Sequence, residues 1–211
     1  MAEETGLILP LGRYVLDAAC RQVRSIRDRL AVDLPISVNL SPRQFQDSGL
    51  SSQAAAALDA VGLPSELLIF EITENVVMED ISGAREVMKK LDELGVRLAI
   101  DDFGTGHSSL AYLKQFPVQE VKVDRTFVQG IVDSPVDSAI VRAVIDLANA
   151  MGITTVAEGV ETREQLARLR MLGCPVAQGF YFAQPLRAEE FDELLTRHFA
   201  RSTDLQGHYL S

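Results

Sequence analysis

Helix-like stretches that stop at a glycine and pass straight into a short β-type run recur along this chain, and they restrict its fold more than any other feature. Val61-Gly62, Leu94-Gly95, Met151-Gly152 and Leu172-Gly173 each close an amphipathic stretch. Glycine is expected just past a helix C-terminus because it enters the left-handed region without a Cβ clash. Helical periodicity predicts helices over residues 11–30, 53–61, 84–94, 138–151 and 163–172. Apolar, β-rich runs predict strands over 36–40, 67–72, 97–100, 120–123, 153–157 and 175–178. A β-α unit every roughly 20–35 residues, with strands apolar throughout, implies a parallel sheet covered by helices. The expected fold is therefore α/β, a TIM-type (β/α) barrel, with about six strands readable where a complete barrel has eight.

Composition narrows the class of molecule. A chain of 211 residues with 47% hydrophobic and 24% charged content can bury one sizeable core, and one domain is expected over residues 1–200. Residues 201–211 are polar and aperiodic and read as a flexible C-terminal tail. A net charge of −10 excludes a sequence-independent grip on a nucleic acid polymer, which needs clustered Lys and Arg. An anionic substrate would need metal ions or a local basic group. Cys20 and Cys174 have no metal-ligand spacing, so no disulfide framework is expected and a reducing cytoplasm is the natural compartment. No apolar run reaches the length of a membrane span, and Met1-Ala2-Glu3-Glu4 has the wrong charge for a secretory signal.

The chemistry concentrates at strand ends. In a β/α barrel, polar groups at the C-terminal ends of strands converge on one mouth. Asn39, Glu71 with Glu74, Asp101 with Asp102, Lys122 with Asp124, Glu158 and Gln178 fall at or near successive strand ends. Asp101-Asp102-Phe103-Gly104-Thr105-Gly106 stands out among them, since neighbouring strand residues point to opposite faces. Both acids reach one site only if the strand breaks between them, and two anions that close repel unless a cation intervenes. Each residue also has an ordinary reading. The acids could cap a helix beginning near Ser108-Ser109-Leu110, Asn39 could be a turn residue, Glu158 could cap the next helix, and Lys122 could be a structural ion pair. As a set, the carboxylates and the amide oxygen are hard donors suited to Mg²⁺ or Mn²⁺, in a layout that fits phosphodiester hydrolysis. No Cys/His zinc pattern, P-loop or dinucleotide fingerprint competes.

The motifs Ser37-Val38-Asn39-Leu40-Ser41-Pro42-Arg43-Gln44, Glu71-Ile72-Thr73-Glu74, Asp101-Asp102-Phe103-Gly104-Thr105-Gly106, Lys122-Val123-Asp124-Arg125, Ala157-Glu158-Gly159-Val160-Glu161-Thr162 and Gln178-Gly179-Phe180-Tyr181-Phe182 resemble those of one family. It is the EAL domains, which hydrolyse the bacterial messenger cyclic di-GMP to the linear dinucleotide. The resemblance implies that Asn39, Glu71, Asp101, Asp102 and Glu158 hold two metal ions, with Asp101 bridging. It further implies that Lys122, Gln178 and Glu158 are catalytic, the first two acting on the attacking water. Glu74 would anchor the glycine-hinged loop that couples the site to dimerisation, and Arg43, Asp124 and Pro185 would contact substrate. Implied partners are cyclic di-GMP, a second copy in a homodimer, and sensor or GGDEF-type domains in the parent protein.

Two departures accompany the resemblance. His107 stands where the family usually has Tyr. The chain also starts at a point inside the family's domain, so the expectation is an N-terminally truncated barrel without its first two strands and without the Glu-Ala-Leu signature. An open barrel exposes two sheet edges, which dimer packing or exchange of elements is expected to cover. Loss of the signature Glu would weaken one ion's hold, which keeps open the alternative of a catalytically inactive cyclic di-GMP receptor or protein-interaction module. An unrelated divalent-metal barrel enzyme is the remaining reading.

Overall fold

The computed structural model describes residues 2–104 and 113–206. Six parallel strands form one sheet in the order β1 to β6: Ile36–Asn39, Leu68–Thr73, Arg97–Phe103, Glu120–Val123, Thr154–Ala157 and Val176–Ala177. Helices separate them: α1 (Ile8–Leu30), α2 (Pro42–Phe45), α3 (Leu50–Val61), α4 (Glu74–Glu79), α5 (Ile81–Glu93), α6 (Arg125–Gly130), α7 (Pro135–Met151), α8 (Arg163–Met171) and α9 (Ala188–Gln206). The sheet and its surrounding helices make a half-barrel. Every sequential pair of strands is parallel and hydrogen-bonded, as the β-α alternation requires. The glycines that punctuate the sequence have positive φ: 61° at Gly62, 86° at Gly95, 71° at Gly152 and 82° at Gly173.

One sheet face supplies the main core. Val38, Phe70, Ile72, Leu98, Ile100, Val121, Val123 and Ala157 pack against buried helix residues such as Leu58, Met88, Leu91, Val141, Ile145 and Leu169. Fully burying each large apolar side chain of this kind contributes about 1.5–3 kcal/mol. Strand alternation sends the intervening residues to the other face, which is where Glu71, Asp101, Glu120 and Lys122 lie.

The first and last helices meet on the outside of the half-barrel. Arg29 on α1 pairs with Asp192 on α9 at 2.9 Å, and Gln22 donates a hydrogen bond to the same carboxylate at 3.2 Å. Between them β1 and β6 each pair with one neighbour among the described residues, so the sheet is open at both edges.

Several elements differ from the expected boundaries. β3 runs on through Asp101 and Asp102 to Phe103, while β6 is only Val176–Ala177. The short helices α2, α4 and α6 occupy turns that carry no periodicity, and α9 lies where no helix is predicted, running into the stretch expected as a tail as far as Gln206. Arg201 to Gln206 contain neither Gly nor Pro, so nothing in that stretch stops the helix. His107, the helix start considered at Ser108-Ser109-Leu110, and residues 207–211 lie outside the described residues.

Candidate metal centre

The end of β3 is built around an irregularity. Ile100 pairs with Val121 and Phe103 with Val123, so β3 carries one more residue than β4 across that interval. Asp102 has φ 53°, the left-handed region that a side chain rarely adopts. This bulge lets Asp101 and Asp102 share a site while Phe103 returns to the core. Oxygens of Asp101, Asp102 and Glu158 come within 4.8 Å of one another. Carboxylates at such spacing repel by roughly 3–4 kcal/mol per pair at an effective dielectric near 20, so the cluster calls for positive charge.

Lys122 supplies some of it. Its side chain is 5% exposed, and its Nζ lies 2.7 Å from Glu71 Oε2, 3.3 Å from Asp101 Oδ1 and 2.5 Å from Glu158 Oε1. Burial works against the ammonium, but hydrogen bonds to Glu158 and Glu71 and the charge of Asp101 outweigh it and raise the Lys122 pKa. One ammonium does not satisfy every acid here. Burial raises the Glu158 pKa against the pull of Lys122, with the charges of Asp101 and Glu71 adding to the rise. The Asp102 pKa is likewise raised, by burial first and then by the charges of Asp101 and Asp124. Asp124 moves the other way despite its burial, because the Thr126 hydroxyl and backbone N–H donate to it. A hydrogen bond between the Asp102 and Asp124 side chains adds to both shifts, raising Asp102 and lowering Asp124.

The remaining residues of the set arrive by separate routes. Asn39 is level with Glu71 in the β1–β2 register and is exposed. Gln178 donates to Glu158 Oε1 at 2.5 Å. Glu74, 2% exposed at the start of α4, accepts the Gly104 N–H at 3.1 Å and so holds the backbone just past β3. Pro185, Glu158 and Gln178 line an open cavity of about 400 Å³, whose wall also includes Arg125 and Phe180. Arg43, on α2, donates to the Glu3 carbonyl at 2.5 Å, and its contact is with the segment ahead of α1. The ordinary reading of Glu158 as a cap gives way, because Thr162 caps α8 in a reciprocal pair with Gln165, just as Ser41 caps α2 with Gln44.

Sequence reasoning passed over Glu120. It is 9% exposed, two residues before Lys122 on the same face, and is paired with Arg97 at 2.6 Å. Burial raises its pKa against the pull of Arg97. Its alternation with Lys122 was the available signal, since a charge two residues from a buried inward lysine shares its face.

Comparison with known proteins decides the family: the EAL domain family matches residues 1–185. This chain belongs to the EAL domain family. EAL relatives include the bifunctional diguanylate cyclase/cyclic di-GMP phosphodiesterase MucR of Pseudomonas aeruginosa, 43% identical over 190 residues, covering 90% of this chain and 28% of that protein. The cyclic di-GMP phosphodiesterase PdeR of Escherichia coli is 37% identical over 201 residues, covering 95% of this chain and 30% of that protein. The chain thus spans less than a third of these curated relatives. Among solved EAL structures, the PaMucR phosphodiesterase in complex with c-di-GMP superposes with a TM-score of 0.87 at 43% identity, covering 90% of this chain and 77% of that one. The FimX EAL domain of Pseudomonas aeruginosa bound to c-di-GMP gives 0.80 at 28% identity, covering 87% and 73%.

Proposed function

We propose that this EAL domain hydrolyses cyclic di-GMP to the linear dinucleotide, with Asn39, Glu71, Asp101, Asp102 and Glu158 as the residues that would hold the divalent ions of a two-metal centre. The observation that carries the reading is the convergence of the Asp101, Asp102 and Glu158 oxygens within 4.8 Å beside a buried lysine. The donor set fits Mg²⁺ or Mn²⁺, because every candidate ligand atom is a hard oxygen and the acids outnumber the one ammonium among them. Bound ions of this kind make a water easier to deprotonate and offset charge on the phosphate.

The chain's own groups do the rest. Lys122 and the Gln178 amide orient the attacking water, and Glu158, in contact with both, takes its proton. The water oxygen bonds to phosphorus, the bond from phosphorus to one ribose oxygen breaks, and that oxygen takes a proton from solvent while Glu158 gives its own back, so that one water is consumed in net. Pro185 borders the open cavity beside Glu158 and offers an apolar edge for a base. Arg43 and Asp124 complete the substrate contacts, and Glu74 acts as loop anchor through Gly104.

Purified chain is expected to convert cyclic di-GMP to a single linear product with Mg²⁺ or Mn²⁺, read by chromatography. Asp101→Asn is expected to lower the rate by about 10²-fold or more. Absence of turnover with either metal refutes hydrolysis by this chain. A second reading, a receptor that binds without cleaving, is favoured by the FimX EAL domain solved with c-di-GMP bound. Calorimetric binding without product would select it.

The same reading takes residues 1–200 as one cytoplasmic domain. No helix among the described residues is long and apolar enough to cross a membrane. It also includes a homodimer and attached sensor or GGDEF-type domains, supported by the two open sheet edges and by the bifunctional name of MucR. A compact monomer on gel filtration at low concentration would argue against the dimer.

A further inference from the structure

We propose that Lys122 is the built-in counter-cation of the acid cluster in the metal-free protein, and that divalent ions must take carboxylate oxygens away from it. The proposal rests on the metal-centre reading and adds to it a role for Lys122 before any ion or substrate is bound. An ammonium carries three N–H donors, and Lys122 has one acid within reach for each: Glu71 from β2, Asp101 from β3 and Glu158 from the end of β5. Its positive charge is therefore divided among three acids of the cluster. Asp101 and Glu158 are also two of the three residues whose oxygens converge as a cation site. An arriving ion and the ammonium consequently claim the same groups.

Charge sets the direction of the effect. Glu71, Asp101, Asp102 and Glu158 face a single lysine, which at 4% exposure is screened little by solvent. Removing Lys122 leaves those acids facing one another, which destabilises the fold until another cation arrives. Removing it also frees Asp101 and Glu158 and takes away a positive charge that repels an incoming ion. Lys122→Met thus weakens the metal-free protein and tightens metal binding, an opposed pair of effects that loss of packing alone does not produce.

The test measures thermal unfolding and Mg²⁺ calorimetry at one fixed pH for wild type and Lys122→Met. Without metal, the variant is expected to melt about 10 °C lower. Saturating Mg²⁺ closes most of that gap, and the variant binds Mg²⁺ about tenfold more tightly or better. A variant that folds only when Mg²⁺ is added is the extreme form of the same result. Lys122→Met/Glu158→Gln, which drops one charge of each sign, is expected to melt without metal closer to wild type than the single variant does. A gap that persists unchanged in Mg²⁺, binding no tighter than wild type, or a double variant no better than the single one overturns the proposal. If wild type and variant both show no heat with Mg²⁺ or Mn²⁺, the metal-centre reading itself falls and takes this inference with it.

Discussion

Gly179 follows Gln178, and its replacement by alanine should be far more damaging than the same replacement at Gly152. Gly179 has φ 153°, and a Cβ built there would lie 2.3 Å from Val160 N, 2.3 Å from Val160 O and 2.8 Å from Val160 C. Those atoms have nowhere to go. Val160 is 0% exposed, its N–H donates to the Gln178 carbonyl at 3.0 Å, and its carbonyl accepts from the Tyr181 N–H at 2.9 Å. An unfavourable backbone conformation costs about 1–3 kcal/mol and overpacking a further 1–3, or roughly 2–6 together. Gly152 has φ 71° with nothing within 4 Å of its added Cβ, so Gly152→Ala incurs the backbone cost alone, about 1–2 kcal/mol. With a urea slope of about 2 kcal/mol/M, the midpoint should fall by roughly 1–3 M for Gly179→Ala and by about 0.5–1 M for Gly152→Ala. Gly179→Ala should also lower turnover, because it displaces the backbone that aims Gln178 at Glu158. Equal midpoint shifts for the two variants would refute the reasoning from close approach.

Other outcomes follow from the charges. Arg97→Ala strands Glu120, a carboxylate 9% exposed, and is expected to cost about 1–3 kcal/mol in urea unfolding; a change below about 0.5 would show that Glu120 finds water instead. Asp102 and Glu158 have raised pKa values, so they keep their protons to higher pH than free carboxylates, which titrate at roughly 3.9–4.3. Mg²⁺ affinity should therefore begin to fall above that range as the pH is lowered, and calorimetry from about pH 8 down to 5 would expose a flat profile if the acids are not in competition with protons. In the metal-free protein the same two groups make stability fall as pH rises through their folded values, since the folded state is the one that binds the extra protons.

The elements legible in the sequence were those with a period and a punctuation mark. α3, α5, α7 and α8 each run into a stretch closed by glycine, and β4 was read to its end residues because its apolar run is bounded on both sides. α2 escaped although Ser41 and Gln44 form a reciprocal cap around Pro42, because four residues are too few to show periodicity. α9 was not predicted at all, although Phe191, Leu194 and Leu195 fall at helical spacing, because no glycine or other stop signal follows them. For the site, the acids could be nominated from strand ends, and the need for a break between Asp101 and Asp102 could be stated. That the break takes the form of a left-handed aspartate could not, since glycine, which tolerates positive φ, comes two residues later at Gly104. Nor could the sequence show Lys122 touching acids on three other strand ends, because its partner Glu71 lies 51 residues away and only strand order and register bring them together.

The extra residue in β3 has a consequence for how fold and chemistry are divided in this domain. Ile100 and Phe103 would remain on the core face, and Asp101 on the other, in a chain lacking Asp102 altogether, because the shorter strand would match β4 residue for residue. The hydrophobic scaffold is thus complete without that aspartate, and the second acid is an insertion that the scaffold tolerates. A lineage could acquire or discard it through a single in-frame codon without redesigning the sheet.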